Sequence, residues 1–137
     1  MYVDKQLLLS DSQDLSQTAA TYSSTNIIDL TAVGREIGQG KPVGVVVVVD
    51  EAFASSGAAT VVFSLVANDD EDLTTSATVL YATPAIGYAS LTLGKVIVLP
   101  IPVGRIPTDA QYIGVTYTIG AATTTAGTCS AFLAFEW

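Results

Sequence analysis

One short run of this chain has the residue types of a phosphate-binding loop: Gly34-Arg35-Glu36-Ile37-Gly38-Gln39-Gly40-Lys41-Pro42. Such a loop follows G-x-x-x-x-G-K-[ST] and runs from a strand into a helix, so that backbone N–H groups and a helix N-terminus cradle the anion. Counted forward from Gly34, the second glycine falls on Gln39; counted back from Gly40-Lys41, the first falls on Arg35. Pro42 stands where the Mg²⁺-binding hydroxyl belongs, and a valine-rich strand pattern follows instead of a helix. The run reads as a glycine turn entering a strand. A second candidate is Asp69-Asp70-Glu71-Asp72, the densest charge run. Carboxylates suit a hard cation such as Ca²⁺. Consecutive residues do not all turn inward, however, and no D-x-D-x-D-G loop is present. The run reads as a solvated loop tip, and Asp50-Glu51 as the end of a strand.

The remaining candidates are weaker. Nine Asp and four Glu would allow the carboxylate pair of a glycosidase, but no spacing singles one out. Eleven aromatic residues could stack on sugars, yet several fall on inward strand faces. Cys129 lies in an alternating apolar segment, as a buried, inert thiol does. The chain has no histidine, which excludes Ser-His-Asp and Cys-His catalysis and His-ligated zinc or haem. G-x-S-x-G, D-[ST]-G and S-x-x-K are all missing. No enzyme activity, cofactor or metal is expected.

The elements that must carry these residues are strands. Val, Ile, Thr and Tyr are abundant and helix formers scarce. Period-two alternation marks strands at 60–67, 112–119 and 129–137, and weaker ones at 6–10, 25–30, 78–82 and 89–93. Residues 43–49 and 96–99 are apolar throughout, the pattern of strands buried on both faces. Loops fall at 34–42, 52–59, 68–76, 102–109 and 121–127. Eight or nine short strands in 137 residues predict one all-β domain, a two-sheet antiparallel jelly-roll β sandwich, with a β barrel as the rival. Residues 1–10 read as an extended N-terminal arm.

Composition bounds the partners. Five basic and thirteen acidic residues give a net charge of −8, which disfavours nucleic acid. The longest apolar run is far too short for a membrane helix, and residues 1–9 lack a signal-peptide pattern, so a soluble cytoplasmic product is expected. Only 13% of residues are charged, and Thr, Ser, Ala and Gly must cover the surface. Such a surface suits contact with other proteins, and a homo-oligomer or an assembly component is expected.

Several phrases occur in a telling order. They are Leu7-Leu8-Leu9-Ser10-Asp11-Ser12-Gln13, Ser24-Thr25-Asn26-Ile27-Ile28-Asp29-Leu30, the run from Gly34 to Pro42, and the valine strand ending at Asp50. Ala52-Phe53-Ala54, Gly57-Ala58-Ala59-Thr60 and Ser130-Ala131-Phe132-Leu133 follow. In this order and spacing the sequence resembles the capsid cement (decoration) proteins of short-tailed bacteriophages. The stretch around 83–95 and the Trp137 ending depart from that pattern. The resemblance implies a non-enzymatic jelly-roll subunit on the outer face of an icosahedral shell. It would bridge capsomers of the major capsid protein as a homodimer, with a trimer as the alternative. Contacts are expected from Tyr2, Leu7, Leu8 and Leu9 of the arm, from Arg35 and Glu36 in the 34–40 loop, and from Phe135 and Trp137. A carbohydrate-binding jelly-roll module on the virion surface is the alternative function, since lectin domains share the architecture.

Overall fold

In the computed structural model, residues 8–30, 44–101, 107 and 109–134 are described. Ten strands follow in order: β1 (Leu8–Asp14), β2 (Thr21–Ser23), β3 (Ile28–Asp29), β4 (Gly44–Ser55), β5 (Thr60–Asn68), β6 (Thr78–Ala82), β7 (Ile86–Gly87), β8 (Val96–Pro100), β9 (Tyr112–Gly120) and β10 (Thr124–Ala134). One 3-10 turn, Tyr88–Ser90, lies between β7 and β8. Sheet A has the order β1-β10-β4-β8. Sheet B has the order β2-β9-β5-β6, with β3 also paired to β9 and β7 to β5. Every pairing is antiparallel.

This order follows from wrapping one long hairpin. The first strand pairs with the last, β1 with β10, and the next inward, β2 and β3, pair with β9. Then β4 pairs with β8, and β5 with β6 and β7 at the hairpin's closed end. Rolling that ribbon places alternate strand pairs in opposite sheets, which is jelly-roll topology. The sheets keep separate edges, β1 and β8 in one and β2 and β6 in the other, so the fold is a sandwich and the barrel alternative falls.

Alternation decides which side chains fill the space between the sheets. Val45, Val47, Val49, Ile97, Leu99, Ala131 and Leu133 from sheet A meet Val61, Phe63, Leu65, Ile113, Val115, Tyr117 and Ile119 from sheet B. Phe63 and Tyr117 are opposite one another on adjacent strands. Their rings meet edge to face, with centroids 5.7 Å apart and planes at 87°, the arrangement the ring quadrupoles favour.

Several strand limits differ from the sequence expectation, each for a visible reason. Strand β4 continues through Asp50 and Glu51 to Ser55, and β10 starts at Thr124, within the expected 121–127 loop. Register shifts between Thr124 and Cys129 absorb the extra residues, and bulges keep two long strands paired where polar residues break the alternation. Gly127, at φ +142°, lies in this region. The expected strand at 89–93 is absent: Ala89 and Ser90 end the 3-10 turn and 91–93 form no strand; the apolar signal comes from Leu91, which is fully buried and accepts a hydrogen bond from the Phe53 N–H. Of 25–30, only Ile28–Asp29 is strand, while the short β2 escaped the sequence pattern. Strand β8 is an edge, so Val96 is exposed and the segment is not buried on both faces. The expected 6–10 strand runs instead as Leu8–Asp14, and so Leu8, Leu9 and Ser10 belong to a sheet and not to an extended arm.

Candidate interface

Chemistry-bearing groups are either buried in the sandwich or spread on its surface. Cys129 is fully buried, on the inward face of β10. Desolvation pushes its thiol up to about 12, against a smaller opposing effect from the Tyr117 hydroxyl. Burial likewise holds the Tyr117 hydroxyl well above the ordinary tyrosine range. That hydroxyl lies 2.8 Å from Ser10 Oγ, and Ser10 donates to Gln13 Oε1 at 2.7 Å. A serine has one proton to give, so Tyr117 is the donor toward Ser10. Gln13 in turn donates to the Ser23 carbonyl and accepts from the Thr25 N–H. The chain of bonds ties β1 of one sheet to β9 and β2 of the other. It fastens the two sheets and satisfies the buried polar groups.

Cys129 and Tyr117 are both acids raised by burial, so the folded protein keeps protons that the unfolded chain releases. Their contribution is whole below the thiol's ordinary value of 9.0 and is lost as pH climbs toward about 12. Urea midpoints should therefore fall steadily above about pH 9, and Cys129→Ala should flatten part of that slope. At neutral pH a thiol reagent should modify native protein only as fast as it opens.

The acidic run is a solvated tip. Asp69, Asp70, Glu71 and Asp72 are all exposed. Asn68 fixes the loop's base, its side-chain amide donating to the Asp72 and Thr75 carbonyls while its carbonyl accepts the Asp69 N–H. The Thr74 hydroxyl and N–H bind Asp72 and hold its carboxyl below the usual range. Leu73 then tucks back against β9, so close to Gly114 that a Cβ there would lie 2.4 Å from the leucine. Among the described residues no group of three or more His, Cys, Asp or Glu could hold a metal. No described helix is long and apolar enough to cross a membrane.

Of the expected contact residues, Leu9 is corrected: it is fully buried in the core and cannot meet a partner. Leu8 is half-buried on the edge strand β1, opposite Phe132. Tyr2, Leu7, Arg35, Glu36, Phe135 and Trp137 lie outside the described residues, as does the glycine run at 34–42.

Two surfaces stand out, and Leu8 is the one expected contact residue that falls on either among the described residues. On the outer face of sheet A, Leu8, Phe132, Val46 and Val98 are in direct register across all four strands. Val46 is only 2% exposed, although the core takes its neighbours Val45 and Val47 and not Val46. The second surface is the side of the sandwich where β6 and β8 end their sheets and lie against each other. The exposed large apolar side chains of the described residues are Val79 (57%), Tyr81 (39%), Leu93 (71%) and Val96 (53%), and all four belong to β6, β8 or the turn before β8. Their signal in the sequence was the uncharged run from 73 to 94, unusual in a chain of net charge −8.

Fold and surface together define a small all-β jelly-roll protein whose distinctive exposed features are apolar sheet edges. The chain belongs to the Bbp16 family, whose model matches residues 9–133. No curated protein matches the sequence.

Proposed function

We propose that this protein is a capsid cement protein, binding the outer face of an icosahedral phage shell and bridging capsomers of the major capsid protein. The observation that carries the reading is the β6–β8 side: large apolar side chains left in water on a sandwich whose interior is otherwise filled. Exposed apolar patches and open strand edges serve protein contact. The resemblance in ordered phrases along the chain supplies the kind of partner. The net charge of −8 favours the outside of a shell over its DNA-filled interior. Within this reading the subunit is a homodimer, has no catalytic role, and resides on the virion surface. The carbohydrate-binding alternative has less behind it, because Tyr81 is the one exposed large aromatic among the described residues and sugar platforms need several.

The test is reconstitution. Purified protein added to shells that lack it should bind saturably and raise their melting temperature. Shells that neither bind it nor gain stability would overturn the reading.

A further inference from the structure

We propose, independently of the cement-protein reading, that β1 is a strap. It lifts off as a unit on a fixed hinge at 15–17 while the rest of the sandwich stays folded, and polar side chains latch it shut.

The ladder that holds β1 is poor. β1 ends its sheet, so β10 is its one partner strand. Their register shifts twice within seven residues, between Leu8 and Ser10 and again between Ser10 and Gln13. Each such irregularity leaves a residue out of the pairing. Ser12 takes a φ of +47°, a costly conformation for an L side chain, and its N–H goes to the Ser130 hydroxyl at 3.0 Å instead of a backbone carbonyl. Apolar anchoring is equally thin, because Leu9 is the single side chain that β1 gives to the hydrophobic core.

What closes β1 over the core is a polar latch. Ser10 meets the Tyr117 hydroxyl at 2.8 Å. Gln13 donates to the Ser23 carbonyl at 2.9 Å and accepts the Thr25 N–H at 3.0 Å, and the Leu9 carbonyl accepts the Asn26 N–H at 2.8 Å. These bonds reach β9 and the 23–26 stretch, so β1 is fastened across the sandwich as well as along its own sheet. When β1 lifts, water replaces each of these partners, and the net loss per bond is small.

The hinge is built differently. Leu15 is fully buried, and its N–H bonds the Gly127 carbonyl at 2.9 Å. The Thr124 hydroxyl donates to the Leu15 carbonyl and accepts the Gln17 N–H, while the Gln17 carbonyl accepts the Thr124 N–H at 3.1 Å. The chain beyond β1 therefore stays pinned to the start of β10 when β1 moves. Opening bares two things. One is the edge of β10 from Thr128 to Phe132, and an unpaired edge is a template for a further strand. The other is Cys129, the chain's one cysteine, which stands opposite Gln13 in the pairing.

That thiol reads the opening in the full chain, by the rate of its labelling across a urea series. A strap that lifts alone exposes little surface, so its opening depends weakly on urea. Below the unfolding transition, labelling should be about 100-fold faster than global unfolding allows and nearly independent of urea. Gln13→Ala should speed it by about 10-fold and Leu9→Ala by about 100-fold. Ile97 packs in the core from β8, at the opposite edge of the sheet. Ile97→Val should lower global stability and leave the low-urea rate unchanged. Amides of β1 should exchange with deuterium together, ahead of those that pair β4 with β10. Labelling that follows global unfolding at every urea concentration overturns the proposal. So does a low-urea rate indifferent to the Gln13 and Leu9 changes, or one that Ile97→Val raises as much as it raises global unfolding. Amides of β1 as protected as those between β4 and β10 would overturn it too.

Discussion

Phe63→Ala should lower the stability of the folded protein by about 4 kcal/mol, the largest loss expected of any single truncation in the core. Phe63 is fully buried in the middle strand of sheet B and packs edge to face on Tyr117. Its ring fills the space between the sheets, where neighbours on two sides are strands held in register by backbone bonds. Strands so constrained cannot close around a void, so the variant loses the transfer free energy and keeps most of the cavity. It also loses the ring contact, worth about 1 kcal/mol beyond area. Four kcal/mol is a large share of the 5–15 kcal/mol typical of a domain, and a Tm lower by roughly 15 °C should result. Phe63→Leu keeps most of the volume and should cost about 1.5 kcal/mol. Urea unfolding followed by far-ultraviolet circular dichroism measures both. A loss below about 1.5 kcal/mol for the alanine variant would mean that the site collapses or admits water.

Gly127→Ala should cost about 3 kcal/mol, although it adds a single methyl group. Gly127 sits at φ +142°, a backbone conformation that L side chains rarely adopt, in the bulged part of β10. A Cβ built there would lie 2.7 Å from Cγ and Cδ2 of Phe53, whose ring is itself part of the core. The glycine carbonyl also receives the Leu15 N–H at 2.9 Å, tying the chain that leaves β1 to this point. The methyl group therefore meets two costs, backbone strain and a ring that has to move, each about 1–3 kcal/mol. Relief of the second by Phe53→Ala separates them. The double variant should be less destabilised than the sum of the singles by about 1–2 kcal/mol. Strict additivity would show that the backbone alone sets the cost.

Much of the fold was legible because burial on one face writes period two into a strand. Residues 60–67 and 112–119 became β5 and β9 almost residue for residue, and 78–82 became β6. What failed was written in other terms. Strand β2 has three residues, and its partners are Thr116, Tyr117 and Thr118, so no apolar face announces it. β4 and β10 pass through polar residues by bulging, and alternation stops at a bulge even though pairing does not. Leu91 is as buried as any strand residue but stands on a turn, and burial alone does not say which backbone delivers it.

The candidate interface divides in the same way. The sequence spoke clearly about chemistry: no histidine, an isolated Cys129, and acids that cluster only as a loop tip. It misassigned Leu9, because three consecutive leucines look like a sticky arm until β1 is paired and Leu9 turns inward. It carried the uncharged run from 73 to 94 in full view, without showing that Val79, Tyr81, Leu93 and Val96 lie on or beside the edge strands β6 and β8. The composition and the two-residue period by themselves determined an all-β protein with apolar inner faces, because each is a property of neighbours along the chain. Only the tertiary structure decided that β6 and β8 end their sheets side by side, leaving those four side chains in water. An edge is the lack of a further pairing partner, and pairing in this roll joins strands as far apart as β1 and β10.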